Sequence, residues 1–224
     1  MVAASSDIWV FAYGSLMWRP GFSITEARRA TLTGWHRRLC IVSRHYRGTA
    51  EWPGLLLGLD CGGSCEGVAF RVAADDVASV LKYLRAREQI SGVYRETHLP
   101  VELHGEPRER CRALAFLAEH AHPSFVRRRL SVTAQARIVA TASGSTGSNL
   151  AYLSHTTAEL TRMAIREPEL ERVLAMIGIV RARRLAASTG RLHPQYLGRR
   201  PGTRLGPRAR IFEVKRFGHR SRMG

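Results

Sequence analysis

Acidic residues are scarce in this 224-residue chain: 18 Asp+Glu stand against 35 Lys+Arg, a formal net charge of +17. Long apolar runs are missing too. No stretch approaches the ~18 consecutive apolar residues a membrane helix needs, so no membrane partner is expected. Met1 to Asp7 lacks a basic stretch followed by an apolar run, which argues against a signal peptide and for a cytoplasmic protein. Cysteine is limited to Cys40, Cys61, Cys65 and Cys111. Cys61-x-x-x-Cys65 has no second close pair and the histidines are scattered, so neither a disulfide framework nor a metal site is expected. The Gly144–Asn149 segment has no following lysine and no preceding strand, which excludes a phosphate-binding loop of that type. No Ser/His/Asp or Cys/His arrangement for nucleophilic catalysis is recognisable, and no internal repeat is found.

The basic excess is unevenly placed. From Arg181 to Gly224 there are 13 Lys+Arg and one acid, Glu213, leaving 22 basic and 17 acidic residues before it. Residues 1–180 therefore read as one mildly basic domain, and 181–224 as a basic tail without periodicity, expected to be disordered. The tail suits a polyanion, yet the chain has no reading helix and no aromatic–basic surface pattern, so a nucleic-acid-binding protein is the weaker reading. A bias toward arginine in the composition at large explains the same residues.

What is present begins at Ile8-Trp9-Val10-Phe11-Ala12, a bulky apolar run that reads as a buried strand. It enters Tyr13-Gly14-Ser15-Leu16, either an ordinary glycine turn or a set of backbone N–H groups shaped for an anion or oxyanion. Strands are predicted from Ala30 to Ser43, at Leu55–Leu59, at Cys65–Val72, at Val93–Val101 and at Cys111–Leu117. Asp60 to Ser64 reads as the tight turn of a hairpin. Arg44 to Gly54 is a loop holding Arg47-Gly48-Thr49 and Trp52-Pro53-Gly54. Helices are predicted over Ala74–Glu88, Val132–Ala142, Asn149–Met163 and Pro168–Ile177. In the first, Val77, Val80, Leu81 and Leu84 form one apolar stripe, and Glu88 continues it. A carboxylate on that face is costly unless paired or neutralised; an ion pair with Arg85 or Arg87, or an exposed helix end, is the plain structural alternative.

Four ordered blocks resemble the ChaC family of glutathione-specific γ-glutamylcyclotransferases. They are Trp9–Trp18; Gly34–Cys40 with Arg47-Gly48-Thr49 and Pro53-Gly54-Leu55; Arg87-Glu88 with Gly92–Arg95; and Gly144, Gly147, Asn149, Tyr152-Leu153 and Thr156. Ala12 departs from the family's usual glycine and Ala50 from a frequent proline. The resemblance implies an α+β fold, a small mixed β-barrel flanked by helices, and the mixed run of strands and helices agrees with it. It implies that glutathione is cyclised to 5-oxoproline with release of cysteinylglycine, without metal or organic cofactor. It further implies Glu88 as the catalytic base, with Val10, Phe11, Ala12, Tyr13, Gly14, Ser15 and Leu16 forming the substrate strand and loop. Tyr94 and Tyr152 are expected as pocket walls. Glutathione is the expected partner and a monomer the expected state. A cyclotransferase acting on other γ-glutamyl amines, and a binding module on the same fold, are the alternatives; an inward Glu88 counts against the latter.

Overall fold

Strand β1 (Ile8–Ala12) is apolar along its whole length because it is covered on both sides. Val10, Phe11 and Ala12 are fully buried. It lies between two neighbours, antiparallel to β3 (Gly54–Val72) and parallel to β5 (Glu109–Ala118). The computed structural model describes residues 6–88 and 92–189, with side chains as far as Arg183. The five longer strands close into a barrel in the order β1-β3-β2-β4-β5, where β2 is Glu26–Ser43 and β4 is Tyr94–Leu103. This is the mixed barrel with flanking helices that the sequence led us to expect. Closure rests on two short joins, Ala30 and Thr31 with Leu103 and Glu102, and Trp9 and Val10 with Ala113 and Leu114.

The predicted hairpin between Leu55–Leu59 and Cys65–Val72 is not formed. Both segments belong to the single 19-residue β3, which pairs along its length with the 18-residue β2. Asp60–Ser64 is a bend in that ribbon rather than a turn. Register shifts between Thr33 and Trp35, where Gly34 has φ 87°, and Gly62 and Gly63 opposite have φ 92° and 72°. Glycine takes these left-handed angles without a Cβ penalty, so the ribbon bulges and continues. A two-glycine run alone does not distinguish a bulge from a hairpin turn.

Helix α1 (Val77–Glu88) follows a short 3-10 turn at Ala74–Asp76 and buries Val80 and Leu84. Helix α2 (Val132–Thr141) is capped by Ser131, whose side chain accepts from Ala134 N–H. A two-residue ladder, β6 (Ser143–Gly144) with β7 (Gly147–Ser148), leads to α3 (Asn149–Arg162). The cap of α3 is Ser148, which accepts from Ala151 N–H. Helix α4 runs from Pro168 to Thr189, twelve residues past the predicted end at Ile177. The predicted disorder from Arg181 onward is therefore corrected for the nine residues to Thr189. Arg181-Ala182-Arg183-Arg184-Leu185-Ala186-Ala187 consists of strong helix formers that extend an existing helix at no nucleation cost. Residues 190–224 of the predicted tail lie outside the described residues. Among the described residues no helix is long and apolar enough to cross a membrane.

Candidate active site

Helix α3 presents a buried polar face to the barrel. Asn149, Tyr152 and Thr156, spaced so that they share that face, are 0%, 5% and 0% exposed. Asn149 binds both backbone groups of Leu55: its Nδ2 donates to the carbonyl and its Oδ1 accepts from the N–H, each at 2.7 Å. Tyr152 Oη accepts from Leu57 N–H at 3.2 Å. Trp18 Nε1 donates to Thr156 Oγ1 at 3.2 Å. One helix face thus fixes the start of β3 and the segment after β1, giving a structural reason for the last of the four blocks.

After β1 the chain passes Tyr13 and Gly14 into a 3-10 turn at Ser15–Met17, with Met17 N–H bonded to Gly14 carbonyl. The first N–H groups of such a turn have no acceptor within it. Gly14 is not left-handed: its φ is −134°. A Cβ there would meet Tyr152 Oη at 3.6 Å, an ordinary contact. The Gly14 ψ of −133° nevertheless lies outside both the helical and the extended regions, so the expected backbone freedom is used, and its small size leaves room beside Tyr152.

A recess of about 30 Å³ is walled by Tyr13, Gly14, Ser15 and Leu16 on one side and by Glu88, Tyr94 and Tyr152 on others. It adjoins a larger cavity of about 480 Å³, and Ser15, Glu88, Tyr94 and Tyr152 line both. The structure brings together seven of the ten sequence-predicted site residues. Val10, Phe11 and Ala12 line neither cavity; their side chains belong to the barrel core and set where the following turn begins.

Glu88 ends α1 at the junction of the two spaces, its side chain 16% exposed. Burial pushes its carboxyl above the usual carboxylate range, and the neighbouring Arg87 guanidinium opposes the shift. Glu88 faces inward, in line with its stripe, and it also makes the ion pair that was the plain structural alternative, with Arg87 Nε 3.0 Å from Oε1. Arg85 turns away to Glu96.

Arg87 also donates to Arg19 carbonyl (2.6 Å), Tyr83 hydroxyl (2.8 Å) and Ser15 Oγ (2.9 Å). It ties the carboxylate to the Ser15 turn, a role that sequence spacing did not suggest. Tyr94 donates to Leu57 carbonyl and Tyr13 to Phe116 carbonyl. Burial raises Tyr13 and Tyr94 well above the ordinary phenol value and brings Tyr152 to about 12, so all three remain neutral donors. Burial likewise moves the Cys40 and Cys65 thiols to about 12 and 11, which removes them as nucleophiles at neutral pH.

Because Ser15 Oγ accepts from Arg87, Ser15→Ala removes one hydroxyl bond at the site without removing the turn. The expected cost is about 1–2 kcal/mol, or roughly 5–30-fold in kcat/KM, checked by steady-state kinetics after a melting curve establishes folding. A loss as large as that of Glu88→Gln would mean that Ser15 carries recognition by itself.

A closed barrel carrying a desolvated carboxylate where a tyrosine-walled recess opens into a cavity is built as a small-molecule site. The chain belongs to the ChaC-like protein family, whose model matches residues 8–182. It is 35% identical over 172 residues to the glutathione-specific gamma-glutamylcyclotransferase of Escherichia coli (strain K12), covering 76% of this chain and 72% of that one. It is 32% identical over 148 residues to human glutathione-specific gamma-glutamylcyclotransferase 1, covering 65% and 66%. Among solved structures, the selenomethionine-labelled yeast gamma glutamyl cyclotransferase specific to glutathione superposes with a TM-score of 0.71 at 22% identity. That superposition covers 77% of this chain and 96% of the yeast one, a likeness of fold.

Proposed function

We propose that this protein is a γ-glutamylcyclotransferase that cyclises the γ-glutamyl group of glutathione, with Glu88 as its general base. The observation that carries this reading is the placement of Glu88, a desolvated carboxylate where the recess opens into the cavity. Its support from relatives is the name borne by the E. coli and human proteins above.

In the proposed reaction the γ-glutamyl end lies where the recess opens into the larger cavity, with its γ-carbonyl turned into the recess, curled so that its α-amine lies against that carbonyl. Such pre-orientation is worth several kcal/mol, since the attack becomes intramolecular. Glu88 takes a proton from the α-ammonium and the freed nitrogen attacks the γ-carbonyl carbon. The developing oxyanion faces the N–H groups of the Ser15 turn. Tyr152 accepts from Leu57 N–H and so keeps its own hydroxyl proton to offer. The bond from that carbonyl carbon to the cysteinyl nitrogen then breaks and Glu88 returns the proton to the leaving amine. The second proton of the attacking nitrogen passes to the same amine, which departs as its ammonium. One amide bond forms and one breaks, giving 5-oxoproline and cysteinylglycine with no water consumed.

The test is incubation of the protein with glutathione and, separately, with γ-glutamyl-alanine, following 5-oxoproline. Turnover of glutathione is expected; its absence in a folded preparation overturns the reading. A pH dependence follows from the raised Glu88 carboxyl. The base is competent only when ionised, so kcat/KM falls as pH drops through that raised value, above the ordinary carboxylate pKa of about 4.3. An acid limb at or below that ordinary value contradicts the assignment.

A further inference from the structure

The larger cavity has a strongly one-signed wall. Arg19, Arg44, Arg47 and Arg87 line it among the described residues, and Glu88 is the one carboxylate there. Arg87 is committed to Glu88 and the Ser15 turn, and Arg44 reaches Ser124 Oγ at 3.2 Å. Arg47 differs from both. It is half-buried, has no carboxylate within ion-pair distance among the described residues, and its one side-chain hydrogen bond is to Ser148 carbonyl at 3.3 Å. The guanidinium lies 5.5 Å from the centre of the Tyr152 ring. Burial lowers its pKa, opposed by Tyr152 and reinforced by the guanidinium of Arg19. A desolvated cation beside a second cation is unfavourable until an anion joins them.

The backbone that carries Arg47 has little room to move it away. Arg47 N–H donates to Ser43 Oγ at 2.9 Å. A Cβ on Gly48 would stand 2.1 Å from Gly54 nitrogen, and one on Gly144 would stand 2.4 Å from His45 carbonyl. The loop and the β6–β7 ladder are thus packed backbone against backbone, and Arg47 is presented in place.

We infer that Arg47, on a cavity wall that Arg19 also lines, forms a carboxylate subsite for the far end of the leaving group, the glycyl carboxylate of a γ-glutamyl peptide. This rests on the cyclotransferase reading and adds to it a basis for choosing peptides over simple γ-glutamyl amines. The geometry separates the substrate's two carboxylates. The recess against which the γ-glutamyl end lies has no arginine in its lining, whereas Arg47 lines only the larger cavity. The cavity, at about 480 Å³, is within the usual range for small-molecule sites. A dipeptide leaving group extends about 7 Å, enough to carry its terminus away from Glu88 into that space.

The experiment compares glutathione with γ-glutamyl-cysteinyl-glycinamide, which has the same shape but a neutral end, in the wild type, Arg47→Met and Arg47→Lys. A charge-assisted bond to carboxylate predicts that the wild type prefers the acid by about 10–100-fold in kcat/KM, chiefly through KM. Arg47→Met is expected to bring that ratio close to one, and Arg47→Lys to restore part of it. An equal wild-type rate on acid and amide overturns the inference, as does an Arg47→Met loss that leaves the ratio unchanged, which would place the arginine on the γ-glutamyl carboxylate instead. If Arg47→Met does not fold, the wild-type ratio decides alone. A folded wild type inert on both compounds overturns the cyclotransferase reading itself, and this subsite with it; that result is distinct from equal turnover of the two.

Discussion

Glu88→Gln is expected to fold and to lose at least about 100-fold in kcat for glutathione. The amide fills the same volume and keeps an oxygen for Arg87, but cannot take the proton from the attacking amine. Stability gives a second, independent reading of the same residue. Burial raises the folded-state pKa of Glu88, so its contribution to stability is complete below the unfolded pKa and is lost as pH rises through the raised folded value. At pH 7 the fold therefore carries a desolvated charge that glutamine does not have. Melting at pH 7 should place Glu88→Gln at or above the wild type, and the gap should close in acid. Turnover near the wild-type level would remove Glu88 from the role of base. A variant that melts well below the wild type would show that the Arg87 pair, rather than function, keeps the carboxylate there.

Asn149→Ala is expected to have the largest effect on stability. It leaves the N–H and the carbonyl of Leu55, a residue 2% exposed, without the partners they have at 2.7 Å. An unsatisfied buried group costs about 1–3 kcal/mol, so the pair costs roughly 2–5 kcal/mol. For a protein of this size that is a drop in Tm on the order of 10 °C. Urea unfolding with an unchanged slope and a lowered midpoint is the measurement. Because α3 also bears Tyr152, KM for glutathione should rise as the helix loosens from β3. An unaltered midpoint would mean that the Leu55 clasp is dispensable and that α3 is held by apolar packing alone.

Much of the site was legible in the sequence because it is local. The apolar run Ile8–Ala12 can only be a strand covered on both sides, and the turn that follows is fixed to its end. The inward direction of Glu88 follows from Val77, Val80, Leu81 and Leu84, since a helix carries one stripe to one neighbour. The misreadings arose where local rules are silent. Gly62-Gly63 serves a hairpin turn or a bulge equally well, and only the long β2 partner opposite, with Gly34 as its matching irregularity, selects the bulge. The end of α4 was placed too early because a run of arginine and alanine reads as a solvated tail unless a helix is already there to extend.

Local pattern was enough for most of the elements and for the inward direction of Glu88, because each depends on residues within a turn or two of one another. The barrel was expected only from the resemblance of four ordered blocks to a family. Tertiary structure decided which distant groups meet. Arg87 reaches Ser15 across 72 positions, Tyr152 reaches Leu57 across 95, and Asn149 reaches Leu55 across 94. It also left Arg47 half-buried without an acid among the described residues. No periodicity specifies such pairings: they are set by closure of the barrel, which buries polar groups from separate segments in one place where each must find a partner or wait for a ligand.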